Sequence, residues 1–229
     1  MFRLDRPCII TIDGPAGTGK SSVARALAQK LTLDVLDTGA MYRAAAAVAL
    51  DRGIALDEVD ELVRAVHAAN VRFDWLCDPP MILAFGAPMN KRIREQDVTA
   101  VVSAYAGVRA LRDLMVEQQR QIARDHPRLV SDGRDQGSIV FPDAQAKFYL
   151  DASSRVRAQR RQAQLAEAGT HADLEALQRE IESRDASDMR RAVGPLVRPD
   201  GAQVIDTSEL GFEQVVGTLY DAVLKKSRE

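Results

Sequence analysis

The run Gly14, Pro15, Ala16, Gly17, Thr18, Gly19, Lys20 and Ser21 has the residue types and spacing needed to hold a polyphosphate. It fits the pattern G-x-x-x-x-G-K-[ST] at every position. Glycines let successive backbone amides curl around a phosphate without side-chain clashes. Lys20 would reach the β- and γ-phosphates of ATP, and Ser21 would hold Mg²⁺ through its hydroxyl. Ser22 continues this ATP-binding cradle into the segment that follows.

Such a loop marks a user of nucleoside triphosphates and leaves the acceptor open. A GTPase would need an NKxD-type guanine reader, and the nearest stretch, Asn90 to Ile93, lacks the Asp. Motor and transporter ATPases need an acidic residue after a strand-end Asp, and here Gly133 follows Asp132. The arginines point elsewhere. The chain has 25 Arg and 6 Lys. Codon usage alone could supply arginine, but it does not place arginines after strands. Arg43 follows one expected strand, and Arg134 lies between Gly133 and Asp135 after another. Arg184, Arg190 and Arg191 lie in SRDASDMRR, and Arg155, Arg157, Arg160 and Arg161 share one expected helix. A guanidinium forks onto two phosphate oxygens, so these positions suit a second anionic group. Transfer between two phosphates calls for positioning and neutralisation, with no strong general base, because the acceptor oxygen is already ionised near pH 7.

These side chains need a frame. Cys8 to Ile12 is a β-branched run ending in Asp13 and Gly14, and Gly19 to Leu31 repeats apolar residues at helical spacing. Val35 and Leu36 mark a second strand, followed by expected helices over Ala40 to Leu50 and Leu56 to Ala69, with Asp57 as N-cap of the latter. Val71 to Pro88 alternates apolar and polar residues around CDPP, which reads as a small antiparallel β unit. Helices are expected over Val98 to Ala106, Val108 to Asp125, Ser153 to Ala168, Ala172 to Ser187 and Phe212 to Lys225. Strands are expected at Arg128 to Ser131, Ala146 to Leu150 and Gln203 to Ile205. Alternating strands and helices imply an α/β fold with a parallel sheet, whose ligands bind beyond the carboxyl ends of the strands.

Composition narrows the classes. The 229 residues carry a net charge of −2, with 46% hydrophobic and 28% charged residues, an ordinary globular balance. No global basic field favours nucleic acid. The start, MFRLDRP, lacks an apolar leader, and no apolar run reaches membrane-spanning length. Two cysteines and three histidines do not form a structural zinc pattern. A reducing, cytoplasmic setting and a monomer, with no membrane partner, are the expectations.

ITIDGPAGTGK, LDTGAMYR, SDGRDQGSIVFPDAQAKFYLDAS and SRDASDMRRAVGPL, in this order, resemble the bacterial cytidylate kinases over nearly the whole chain. The resemblance implies a P-loop, adenylate-kinase-like fold: a five-stranded parallel sheet with helices on both faces, a small antiparallel β insertion and a helical lid. The core would comprise 1–39, 108–154 and 200–229, the monophosphate-binding region 40–107 with its insertion at about 71–88, and the lid 155–199. The implied activity is phosphorylation of CMP and dCMP by ATP with Mg²⁺. By resemblance, Arg43, Arg134 and Arg191 grip the acceptor phosphate, with Thr38 and Tyr42 lining its pocket. Ser103, Arg112 and Asp135 would read cytosine, and Arg184 and Asp188 would hold the ribose. Arg160 or Arg161 would reach ATP from the lid, and Lys20, Arg134, Arg160 and Arg191 form the implied catalytic set. A kinase of broad UMP/CMP range and a non-catalytic nucleotide-binding regulator stand as alternatives.

Overall fold

The computed structural model describes residues 3–167 and 169–228. Its elements run β1 (Cys8–Asp13), α1 (Lys20–Leu31), β2 (Asp34–Asp37), α2 (Thr38–Asp51), α3 (Val59–Ala69), β3 (Arg72–Asp74), β4 (Met81–Ala84) and β5 (Ala87–Pro88). A 3₁₀ turn (Arg92–Arg94) then leads to α4 (Gln96–Tyr105), α5 (Arg109–Asp125) and β6 (Arg128–Gly133). A π-helical turn (Gln136–Val140), β7 (Ala146–Asp151), α6 (Ser154–Glu167), α7 (Leu174–Arg190), β8 (Gln203–Asp206) and α8 (Phe212–Arg228) complete the order.

The chain forms two compact units. One comprises Met1–Leu36, His126–Arg191 and Pro195–Glu229; the other comprises Asp37–Asp125 and Ala192–Gly194. In the first, five strands are ordered β2-β6-β1-β7-β8. β1 pairs in parallel with both β6 and β7, and β7 with β8. A central parallel strand is covered on both faces, which is why β1 reads as a continuous apolar run. The core gathers Ile10, Ile12, Leu27, Val130, Phe148 and Leu219, with α1 and α8 packed against the strands. In α1 the buried residues Val23, Ala24, Leu27, Ala28 and Leu31 follow the helical spacing of the sequence.

The second unit is built around α2. Its run Ala44 to Ala47 is completely buried. Small side chains let α3 and α4 approach this helix closely. β3, β4 and β5 form the expected antiparallel sheet, with Phe73 opposite Ile82 and Leu83 opposite Pro88.

Two local expectations are corrected. α2 starts at Thr38, before Ala40, because the Asp37 carboxylate accepts from Ala40 N at 2.9 Å and caps the helix there. Asp57 does not cap α3. That helix starts at Val59, and Glu58 holds the N-cap position. The Glu58 carboxylate instead accepts from Ala55 N at 2.7 Å, which fixes the turn leading in. Among the described residues, no helix is long and apolar enough to cross a membrane.

Candidate active site

The phosphate loop joins the central strand β1 to α1. Gly14 has φ +146°, and a Cβ there would run into the Leu150 carbonyl of β7, so the chain passes β7 only as glycine. Gly19, at the N-cap of α1, offers no side-chain acceptor to the first-turn amides. That helix N-terminus therefore suits an anion. Thr18 Oγ1 donates to Pro15 O at 3.1 Å and closes the loop on itself.

Lys20 is buried, and its Nζ donates to Pro15 O at 2.6 Å and Thr18 Oγ1 at 3.4 Å. Burial pushes its ammonium well below the ordinary lysine value, and the Arg134 charge adds to this; Asp132 and Asp13 pull the other way. A cation held this way gains from a phosphate's negative charge.

The β1–β6 register pairs Ile12 with Asp132 and Asp13 with Gly133, which sets the two strand ends side by side. Ser21 Oγ donates to Asp132 Oδ2 at 2.7 Å. This hydroxyl and carboxylate form the hard-oxygen donor set that Mg²⁺ takes together with nucleotide phosphates. The residues present thus fit the ion. Sequence reasoning did not single out Asp132 as the partner of Ser21, although its place at a strand end was a readable signal.

Asp13 was missed too. Its carboxylate accepts from Gln136 N at 2.7 Å and Gly137 N at 2.8 Å. It thereby ties the phosphate-loop strand to the π-helical turn after β6, where Val140 N and Phe141 N bond back to Asp135 O and Gln136 O. Burial raises the Asp13 carboxyl to about 6, against the pull of the two amides. Folded Asp13 thus holds its proton over a pH range in which the unfolded side chain has lost it. Its contribution to stability is fully present below the unfolded value of 3.8 and is lost as pH rises through about 6. Asp13→Asn removes this titration. Urea unfolding across pH 4 to 7 should show the wild type losing up to about 3 kcal/mol relative to the variant. A pH-independent difference would rule out this role for Asp13.

The arginine-rich segment gathers on the same unit. Asp188, 1% exposed, accepts from Arg134 Nε at 3.0 Å and from Arg191 Nη2 at 2.5 Å. Arg191 follows Asp188 by three positions, so both lie on one side of the end of α7. Arg184 is half-buried on α7. Arg160 is half-buried and donates to Thr207 Oγ1 and O, at 3.0 and 2.5 Å, beyond the end of β8; Arg161 is exposed. Arg157, which the sequence did not set apart from its three neighbours, is buried and pairs with Asp185. Asp135 is buried, and its carbonyl accepts from Ile139 N at 2.9 Å.

Within the second unit, the Arg112 guanidinium lies 5.3 Å from the centre of the Tyr42 ring, within cation–π range. It also donates to Ala106 O at 3.2 Å. Arg43 Nη1 donates to Thr99 Oγ1 at 3.1 Å. Thr38 is buried at the start of α2, and Ser103 is half-buried on α4.

A family model described as cytidylate kinase matches residues 10–225. A cytidylate kinase of Rhodococcus opacus is 43% identical over 223 residues, 96% of each chain. One of Bordetella pertussis is 41% identical over 213 residues, 93% of each chain. Among solved structures, a shikimate kinase of Bacteroides thetaiotaomicron covers 95% of this chain and 98% of its own, at 13% identity and a TM-score of 0.49. With the match extending from the phosphate loop through the arginine-rich segment to the last helix, the chain belongs to the cytidylate kinase family.

Proposed function

We propose that this chain transfers the γ-phosphoryl group of ATP to CMP and dCMP, forming ADP and CDP or dCDP. The observation that carries the reading is the buried Asp188, which holds Arg134 and Arg191 on the same unit as the phosphate loop. A loop for one polyphosphate and a braced arginine pair for a second phosphate are what transfer between two anions requires.

In this reading the loop amides and Lys20 hold the β- and γ-phosphates. Mg²⁺ would be held by Ser21 and Asp132 and would neutralise phosphate charge. An acceptor phosphate oxygen attacks the γ-phosphorus as the bond to the β-phosphate oxygen breaks, and ADP leaves with that electron pair. Arg43, Arg134 and Arg191 hold the acceptor phosphate, with Thr38 and Tyr42 beside it. Arg184 and Asp188 serve the ribose. Asp135 and the Ser103 hydroxyl accept from the cytosine amine, and Arg112 donates to the ring carbonyl. The segment 155–199 acts as a lid that excludes water, with Arg160 or Arg161 reaching ATP.

A coupled assay with CMP, dCMP, UMP, AMP and GMP tests this directly. CMP and dCMP should have the highest kcat/KM. Comparable efficiency with UMP would point to a broad pyrimidine kinase, and ATP binding without turnover of any monophosphate would point to a regulator. Asp135→Ala should lower the CMP to UMP preference by roughly 10-fold or more, the worth of a charge-assisted hydrogen bond, with less effect on ATP. Unchanged discrimination would remove Asp135 from base reading.

A further inference from the structure

α7 carries two buried carboxylates, Asp185 and Asp188, three positions apart and hence on one face. Asp188 serves the arginines Arg134 and Arg191. Asp185 does something different: its Oδ1 accepts from Ala16 N of the phosphate loop at 3.3 Å. Its Oδ2 pairs at 2.5 Å with Arg157 Nη1 of α6, and that nitrogen also donates to Ala16 O at 2.9 Å. Both backbone groups of one loop residue are thus taken by one buried ion pair. Arg157 Nε donates to Ala152 O at 2.9 Å, which fixes the guanidinium plane. The neighbouring loop residue is glycine, and a Cβ at Gly17 would stand 3.2 Å from Arg157 Cβ, so the loop has room for Arg157 to lie against it. Ser154 Oγ and Gln178 Nε2 both reach Glu182 Oε1, at 2.7 and 2.9 Å, and join α6 to α7 on the turn before Asp185.

We propose that Asp185, with Arg157, is a positioning pair that latches α7 to the phosphate loop and so couples binding of the donor nucleotide to binding of the acceptor. The proposal rests on the kinase reading above. A shift of the loop on binding ATP passes through Ala16 to Asp185. One helical turn on, the same helix carries the carboxylate that holds the acceptor-side arginines. A ligand that fixes one end of this bar removes freedom that the other ligand would otherwise have to remove. Neither Asp185 nor Arg157 needs to touch a reacting atom.

The test separates coupling from simple support of the fold. A buried ion pair can be replaced by apolar residues of similar size with little loss of stability, whereas removal of one partner strands the other charge. The double variant Arg157→Met/Asp185→Leu keeps the packing but has no groups to hold Ala16. Calorimetry would measure CMP affinity with and without a non-hydrolysable ATP analogue and Mg²⁺, in both proteins. In the wild type the analogue should tighten CMP by roughly 5-fold or more, a typical linkage between coupled sites. The double variant should bind each ligand alone within about 3-fold of wild type, lose the tightening, and turn over about 10- to 100-fold more slowly, as expected when reacting groups are slightly misplaced. Wild-type tightening and turnover retained in the double variant would overturn the proposal. So would independent binding of the two ligands in the wild type. Absence of CMP binding by the wild type would instead sink the kinase reading. Should the double variant fail to fold, Asp185→Ala decides by the same measurement. It removes both the acceptor for Ala16 N and the partner of Arg157, and full coupling there would overturn the latch.

Discussion

Lys20→Ala is expected to lower kcat by about 10³-fold, because removing one preorganised donor to developing phosphoryl charge costs on the order of 3–4 kcal/mol. The fold should survive. Among the described residues the Lys20 ammonium donates to a loop carbonyl and a hydroxyl, Pro15 O and Thr18 Oγ1. Burial disfavours its charge. Because the fold disfavours the charged form, the wild-type residue costs stability at pH values below its unfolded value of 10.5 when nucleotide is absent. The variant should therefore melt at the same temperature or higher without ligand. It should also gain less from added ATP, because the stabilisation by a ligand follows its affinity. Single-turnover kinetics with CMP, together with thermal melts with and without ATP, checks both halves. A kcat within 10-fold of wild type would take Lys20 out of the transfer step.

Asp188→Ala should be damaging in a different way. Asp188 is buried, and both its oxygens are engaged by guanidinium groups of Arg134 and Arg191. Removing a carboxylate between partly buried cations leaves them uncompensated, a loss of about 3–5 kcal/mol. The arginines would also splay, and the monophosphate KM should rise roughly 10- to 100-fold, the worth of one charge-assisted contact. The ATP KM should change much less. Urea unfolding without ligand distinguishes this from the ribose role that the sequence resemblance implied. A residue that only touched ribose would leave the ligand-free protein within about 1 kcal/mol of wild type, like other substitutions outside the packed structure. That result would return Asp188 to substrate contact alone.

Much of the frame was legible because its signals are local. The phosphate loop is a contiguous motif, and the place of Gly19 before α1 follows from its pattern, whereas the steric demand on Gly14 comes from Leu150 of β7. α1 could be read residue by residue from its apolar period. The antiparallel unit was legible from alternation around CDPP. The misreadings were local as well. Asp37 and Asp57 are both plausible caps by type, and only the backbone path shows which carboxylate meets a helix amide. Arg157 was hidden among Arg155, Arg160 and Arg161, since four identical side chains on one helix carry no mark of which face is buried.

The sequence by itself determined the phosphate loop, the parallel α/β arrangement and the family, because each rests on short spacings or ordered motifs along the chain. Tertiary structure alone decided the partnerships. Asp13 meets Gln136 and Gly137, Ser21 meets Asp132, Asp188 gathers Arg134 and Arg191, and Asp185 with Arg157 grips Ala16. All but Arg191 to Asp188 and Arg157 to Asp185 join residues more than 50 positions apart. Charge and residue type announce that such groups seek partners; only the strand register and the packing of α6 and α7 select which partner each one finds.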